Sequence, residues 1–186
     1  MVTCMKFVMQ TGASLRVSVF LIAALLTGSL AAAESSWQLQ TPAGDTVMFP
    51  AEREGPTILF FWASWCPYCK AFMPHLQALA DENPDLSVLA INFRDDGDPQ
   101  AYLDDNGYSF TLLLDGGDVA DRYEIWATPG LLLFDRDNQL VFDLYAAKQK
   151  LDEQRSLPDG LSHGEKAARK APWWAHELGA ALAGLR

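Results

Sequence analysis

The run Ile58-Leu59-Phe60-Phe61-Trp62 is apolar at every position, where a half-exposed strand would alternate. Residues 57–63 therefore predict a central strand buried on both faces. Residues 86–93, Leu-Ser-Val-Leu-Ala-Ile-Asn-Phe, predict the next strand. Between them the pattern changes to helical spacing from about Pro67 to Asp81, and Pro at a first helical position has no N–H to lose. Pro74 inside that helix should bend it and free a carbonyl in the turn before. Strand, helix and strand form a βαβ unit with parallel strands.

The rest of the chain follows the same alternation of signals. Residues 37–40 and 47–49 flank a Gly-Asp turn and predict a short hairpin. Residues 94–99 are a polar loop leading into a short helix near 100–106. Its cluster Asp95-Asp96-Gly97-Asp98 lacks calcium-loop spacing and reads as a solvated loop that starts the helix. Residues 110–114 predict a buried strand and 118–123 a short helix. Residues 131–134 and 140–144 predict an antiparallel hairpin around 135–139. The stretch 146–160 is polar, mixed in charge and assigned no element. Ser162-His163-Gly164-Glu165 has the spacing of a capping box, and Pro172 should break or restart the helix it opens. Beyond it Trp174, Leu178, Leu182 and Leu185 share one face, expected to pack on the sheet.

The N-terminus has a different character. Lys6 and Arg16 are the only charges before Glu34, residues 17–30 are mostly apolar, and Ala31-Ala32-Ala33 supplies small residues for cleavage. Residues 1–33 therefore read as a signal peptide, with the uncut alternative a membrane anchor. Residues 34–186 form one domain with a C-terminal helical extension, located in the periplasm or exported. Cleavage after Ala33 removes Cys4 and two cations, leaving 12 Lys+Arg against 24 acids. A surface of that sign repels phosphate backbones and excludes nucleic acid as a partner class.

Cys66 and Cys69 are then the only cysteines. They stand as Trp65-Cys66-Pro67-Tyr68-Cys69 where the central strand hands over to the helix. The first helical turn offers unpaired N–H groups and the positive end of the dipole, which stabilise a thiolate. A structural zinc site would need two more ligands, and His75, His163 and His176 form no paired spacing. A static bridge over two intervening residues gains little from chain entropy. The pair reads as a redox dithiol with no cofactor and no metal.

With these residues in view, the chain resembles the thioredoxin superfamily, and within it the secreted TlpA/ResA-like thiol–disulfide oxidoreductases. The stretch Phe61-Trp62-Ala63-Ser64-Trp65-Cys66-Pro67-Tyr68-Cys69-Lys70 looks like the family's active site, Pro74 like its helix-kinking proline, and Thr128-Pro129 like its cis-proline. The resemblance covers residues 37–144. It implies an α/β, thioredoxin-like three-layer sandwich with a TlpA-like helix–strand insertion and an N-terminal β-hairpin. It also implies exchange with protein thiols or disulfides, and a membrane or envelope redox donor. Cys66 is then the nucleophile, nearer solvent, and Cys69 the resolving thiol a turn deeper. Trp65, Pro67, Tyr68, Thr128 and Pro129 would bind substrate. Reduction is the expected direction. A disulfide oxidase or isomerase using the same pair, and a non-catalytic metal or haem-pathway binding protein, are the alternatives.

Three positions depart from the family. Phe60 and Phe72 stand where relatives carry buried acids, and Pro67-Tyr68 is the glutaredoxin dipeptide. Without those acids Cys69 is expected to keep a high pKa, unless Glu52 or Glu54 serves instead.

Overall fold

A computed structural model describes residues 36–51, 53–154 and 156–186. The expected signal peptide, Cys4 and Glu52 lie outside the described residues. Among the described residues no helix is long and apolar enough to cross a membrane.

The core is a five-stranded mixed sheet with β3 (Thr57–Trp62) at its centre. On one side β3 pairs in parallel with β4 (Ser87–Asn92), which pairs in parallel with β5 (Thr111–Leu113). On the other side β6 (Gly130–Phe134) runs antiparallel to β3, and β7 (Leu140–Asp143) antiparallel to β6. All six residues of β3 are buried, as its unbroken apolar run requires. Its side chains alternate between two cores. Ile58, Phe60 and Trp62 face one cluster, shared with α1 (Pro67–Asp81) and α5 (His163–Ala183). Leu59 and Phe61 face the other. That second layer holds the separate hairpin of β1 (Trp37–Gln40) and β2 (Thr46–Phe49), through Trp37 and Phe49, and α3 (Gly117–Arg122), through Val119 and Ala120.

The insertion between β4 and β5 is α2 (Pro99–Asn106), opened by Asp98, whose carboxylate accepts from the Ala101 N–H at 2.9 Å. The helix Pro67–Asp81 runs through Pro74, as the sequence suggested.

Three C-terminal expectations need correction. First, the unassigned stretch after β7 is a helix, α4 (Leu144–Gln154), so the strand ends at Asp143 rather than residue 144. Asp143 stops it: its carboxylate accepts from the Tyr145 N–H at 2.8 Å and turns the backbone. Second, the capping box at Ser162 and Glu165 is present, but Pro172 does not break α5, which is continuous over 21 residues. An internal proline costs about 3 kcal/mol. Ala167 and Ala171 before it, and Trp174, Leu178 and Leu182 after it, are all buried on one face. Each of the large ones contributes about 1.5–3 kcal/mol on burial, enough to hold both halves on one axis. Third, that face packs mainly on α1 rather than directly on the sheet. The helices approach closely at Gly179, where a Cβ would sit 3.4 Å from Leu79 Cδ2.

Candidate active site

Cys66 is the N-cap of α1, with extended backbone (φ −78°, ψ 114°), and Pro67 follows at the first helical position. Its Sγ accepts from the Cys69 N–H at 3.4 Å and lies 3.6 Å from the Thr128 carbonyl oxygen, to which the thiol donates. The Thr128–Pro129 peptide is cis. Both cysteines are free thiols and both are buried, Cys66 at 3 % exposure and Cys69 at 0 %.

The two sulfurs differ sharply in acidity. A hydrogen bond from the Cys69 thiol holds Cys66 down to about 6 against the opposing effect of burial. Hydrogen bonding from the Thr128 side chain and from the backbone of Cys69 and Tyr68 pushes the same way. Burial pushes Cys69 well above an ordinary thiol, and the neighbouring Cys66 pushes it further. Phe60 and Phe72, both fully buried, meet edge to face at 6.1 Å, so the surroundings on this side are apolar. Glu54 is exposed. A thiolate on Cys66 beside a protonated Cys69 is one nucleophile and one proton-bearing reserve thiol.

The other residues expected at the site divide into two groups. Trp65 is 57 % exposed, its indole N–H donating to the Arg94 carbonyl at 3.0 Å, so it is not a core residue. Thr128 is half-buried with its carbonyl against Cys66, and Pro129 is half-buried beside it. Tyr68 instead turns its ring onto α5, 6.0 Å from Trp174 and 6.1 Å from His163, and Pro67 is half-buried at the first helical position. Among the described residues no three His, Cys, Asp or Glu side chains stand together as metal ligands, and Met73 is buried in the core.

Four residues were not legible beforehand. Asp95 belongs to the acidic run read as solvated, yet its carboxylate ties down the turn before Cys66. It accepts from the Ser64 N–H, from Ser64 Oγ at 2.8 Å, from Asn92 Nδ2 at 2.7 Å and from the Gly97 N–H at 3.0 Å. Burial acts to raise its pKa, but these donors outweigh it and hold the carboxyl below its ordinary value. A Cβ at Gly97 would come 2.4 Å from Ser64 Oγ, so this junction needs glycine.

The second is Trp126, 73 % exposed on the loop that carries Thr128 and Pro129. Its position two residues before Thr-Pro was the one available signal. The last two lie on α4, the stretch assigned no element. The Tyr145 ring meets that of Trp126 at 5.2 Å, tilted by 38°, and its hydroxyl receives the Ala127 N–H at 2.9 Å and donates to the Ala127 carbonyl. Lys148 donates to the Pro129 carbonyl. Together they clamp residues 126–129 from behind.

Comparisons with known proteins find thioredoxin-like relatives. A thioredoxin-like protein of Haemophilus influenzae is 33 % identical over 100 residues, 53 % of this chain and 60 % of that protein. The thiol-disulfide oxidoreductase ResA of Halalkalibacterium halodurans is 32 % identical over 95 residues, 48 % and 54 % of the two chains. The chain thus spans little more than half the length of these relatives. Among solved structures, a secreted Mycobacterium tuberculosis disulfide oxidoreductase homologous to E. coli DsbE superposes with a TM-score of 0.51 and 25 % identity. That match covers 73 % of this chain and 95 % of the other. The AhpC/TSA family pattern matches residues 32–142, a span that contains both cysteines, Trp65 and the Thr128-Pro129 turn, and the chain belongs to that family.

Proposed function

We propose that this protein exchanges disulfides with protein substrates through Cys66 and Cys69, acting as a reductase in the bacterial cell envelope. The observation that carries the reading is two free sulfurs on one helical turn, Cys66 at the N-cap accepting from the Cys69 N–H at 3.4 Å, with Cys66 pushed down and Cys69 pushed up in pKa. The Cys66 thiolate attacks a substrate disulfide, forms a mixed disulfide and expels one substrate thiolate. Cys69 then loses its proton, attacks Cys66 Sγ and releases the second substrate thiolate. Two electrons leave the pair, which ends as a disulfide.

Direction follows from how far the reduced form is stabilised. A nucleophile near 6 lies close to thioredoxin, at about 7, and far from the strong oxidant DsbA, at about 3.5. A weakly stabilised thiolate gives up electrons more readily, which favours reduction of substrate. Export is supported by the apolar N-terminal sequence and by the secreted relative described above. Trp65 and Trp126 give an extended substrate segment two exposed apolar surfaces, and the Thr128 backbone gives it a hydrogen-bonding edge.

Cys69→Ser should trap mixed disulfides with envelope proteins on non-reducing gels, and Cys66→Ser should trap few. Without the resolving thiol the covalent intermediate has no intramolecular exit. Equal trapping by the two variants would count against an ordered two-cysteine mechanism.

A further inference from the structure

Lys148 is placed where a surface lysine has no reason to be. Its ammonium sits over the rings of Tyr145 and Trp174, 4.8 Å and 5.1 Å from their centroids, and donates to the Pro129 carbonyl. Trp174 in turn packs on Tyr68, between the cysteines, and on Phe72 at 5.9 Å. The cation is thus lodged behind the cysteine pair, in the half of the site that lacks a family acid.

We propose that Lys148 is a positioning residue for the dithiol: its anchored ammonium supplies the charge that stabilises a thiolate where Phe60 and Phe72 leave no carboxylate to handle the proton. This rests on the exchange reading given above. Lys148 keeps its own proton throughout. It favours the thiolate of Cys66 before attack, and that of Cys69 when the latter gives its proton to water and breaks the bond to substrate. A buried acid would take the thiol proton; a buried cation instead lowers the cost of losing it.

The charges around Lys148 fit that role. Burial lowers its pKa to about 8, while negative charge on Cys69 and Cys66 pulls it up. Lys170 of α5 opposes it but is itself paired with Asp152 at 2.6 Å, and Asp143 at the end of β7 favours the charged form. Tyr145 on its own helix, Tyr68 and His163 next to Trp174, and the Lys150–Glu177 pair at 3.9 Å between α4 and α5 are further titratable groups on the packed elements. At neutral pH the ammonium is about nine-tenths populated for a group titrating one unit higher.

The test compares Lys148→Met and Lys148→Arg with the unaltered protein. Alkylation of the reduced protein by iodoacetamide, followed against pH, reads the Cys66 thiolate. In Lys148→Met the midpoint should rise by about one unit. At pH 7 the equilibrium with glutathione should shift about fivefold toward the protein disulfide, equivalent to about 20 mV more reducing. Lys148→Arg should restore both to within about threefold. A folded Lys148→Met with unchanged midpoint and equilibrium overturns the proposal.

If that variant does not fold, 13Cε-lysine NMR of the unaltered protein decides. Lys148 should titrate higher in the reduced than in the oxidised form, because oxidation removes the thiolate, and identical midpoints overturn the proposal. Failure of the exchange reading looks different: the midpoints move as described, but the protein reduces no protein disulfide.

Discussion

Cys66 and Thr128 meet across 3.6 Å, yet the two sides of that contact are built in opposite ways. The cysteine side is continuous in sequence. A buried strand, a tight turn and a proline-started helix deliver both sulfurs within one stretch, 57–81, and each step leaves a local mark. The threonine side is a loop whose shape is dictated from elsewhere. Residues 126–129 are held by Tyr145, which packs against the core layer of β1, β2 and α3, and by Lys148, which rests on Trp174 of α5. The first side sets which atom reacts. The second sets what surrounds it, and it does so with groups that are 18 or 19 residues away in the chain.

That contrast can be broken from either side. The largest stability effect is expected on the cysteine side, from Phe60→Asp. The position is fully buried against Phe72, so a carboxylate there should cost about 3 kcal/mol or more in urea unfolding. If it folds, the acid should speed resolution of the mixed disulfide near neutral pH in stopped flow. A variant as stable as the original protein would mean that the Phe60 site is open to water.

A smaller effect is expected from Tyr145→Phe on the threonine side. It leaves the Ala127 N–H and carbonyl without their partner, at about 1–3 kcal/mol. Exchange should weaken as well, since the loop that carries Thr128 loosens. Loss of stability with unchanged exchange kinetics would show that the clamp serves folding alone.

The smallest change in stability belongs to Trp126→Ala. The ring is largely in solvent, so stability should stay within about 0.5 kcal/mol. The apparent KM for an unfolded protein disulfide should nevertheless rise several-fold, with little change for glutathione disulfide. An equal change for both substrates would remove Trp126 from the docking surface.

Sequence reasoning reached as far as local rules carry. Unbroken apolarity found β3, helical spacing behind Pro67 found α1, and Ser162 with Glu165 found the start of α5. It failed where the determinant is a distant partner. Residues 144–154 are too polar to announce a helix, because only Leu144 and Leu151 are buried and the rest of the helix faces outward or grips the loop. Pro172 predicts a break by its own chemistry, and only the packing of α5 on α1 overrides it. Asp95 looks like any loop acid until Ser64 and Asn92 are brought to it by the pairing of β3 with β4. Lys148 gave no signal, since nothing in a sequence distinguishes a lysine lodged among aromatic rings from one in water.

The central claim is that Cys66 is a thiolate at neutral pH while Cys69 keeps its proton. Absorbance of the reduced protein near 240 nm, followed from pH 4 to 10, tests it directly. Cys66 is held below its ordinary value of 9.0, so the signal should appear as pH rises through about 6. It should then stay at one thiolate until well above pH 9, because Cys69 is displaced upward. The same sign holds for stability. A group depressed in the folded state stabilises above its unfolded pKa and loses that contribution as pH falls toward 6. The reduced protein should therefore gain stability between pH 6 and 9 at up to about 1.4 kcal/mol per unit, and the oxidised protein should not share that gain. A first transition near 9, or two thiolates appearing together, would contradict the account.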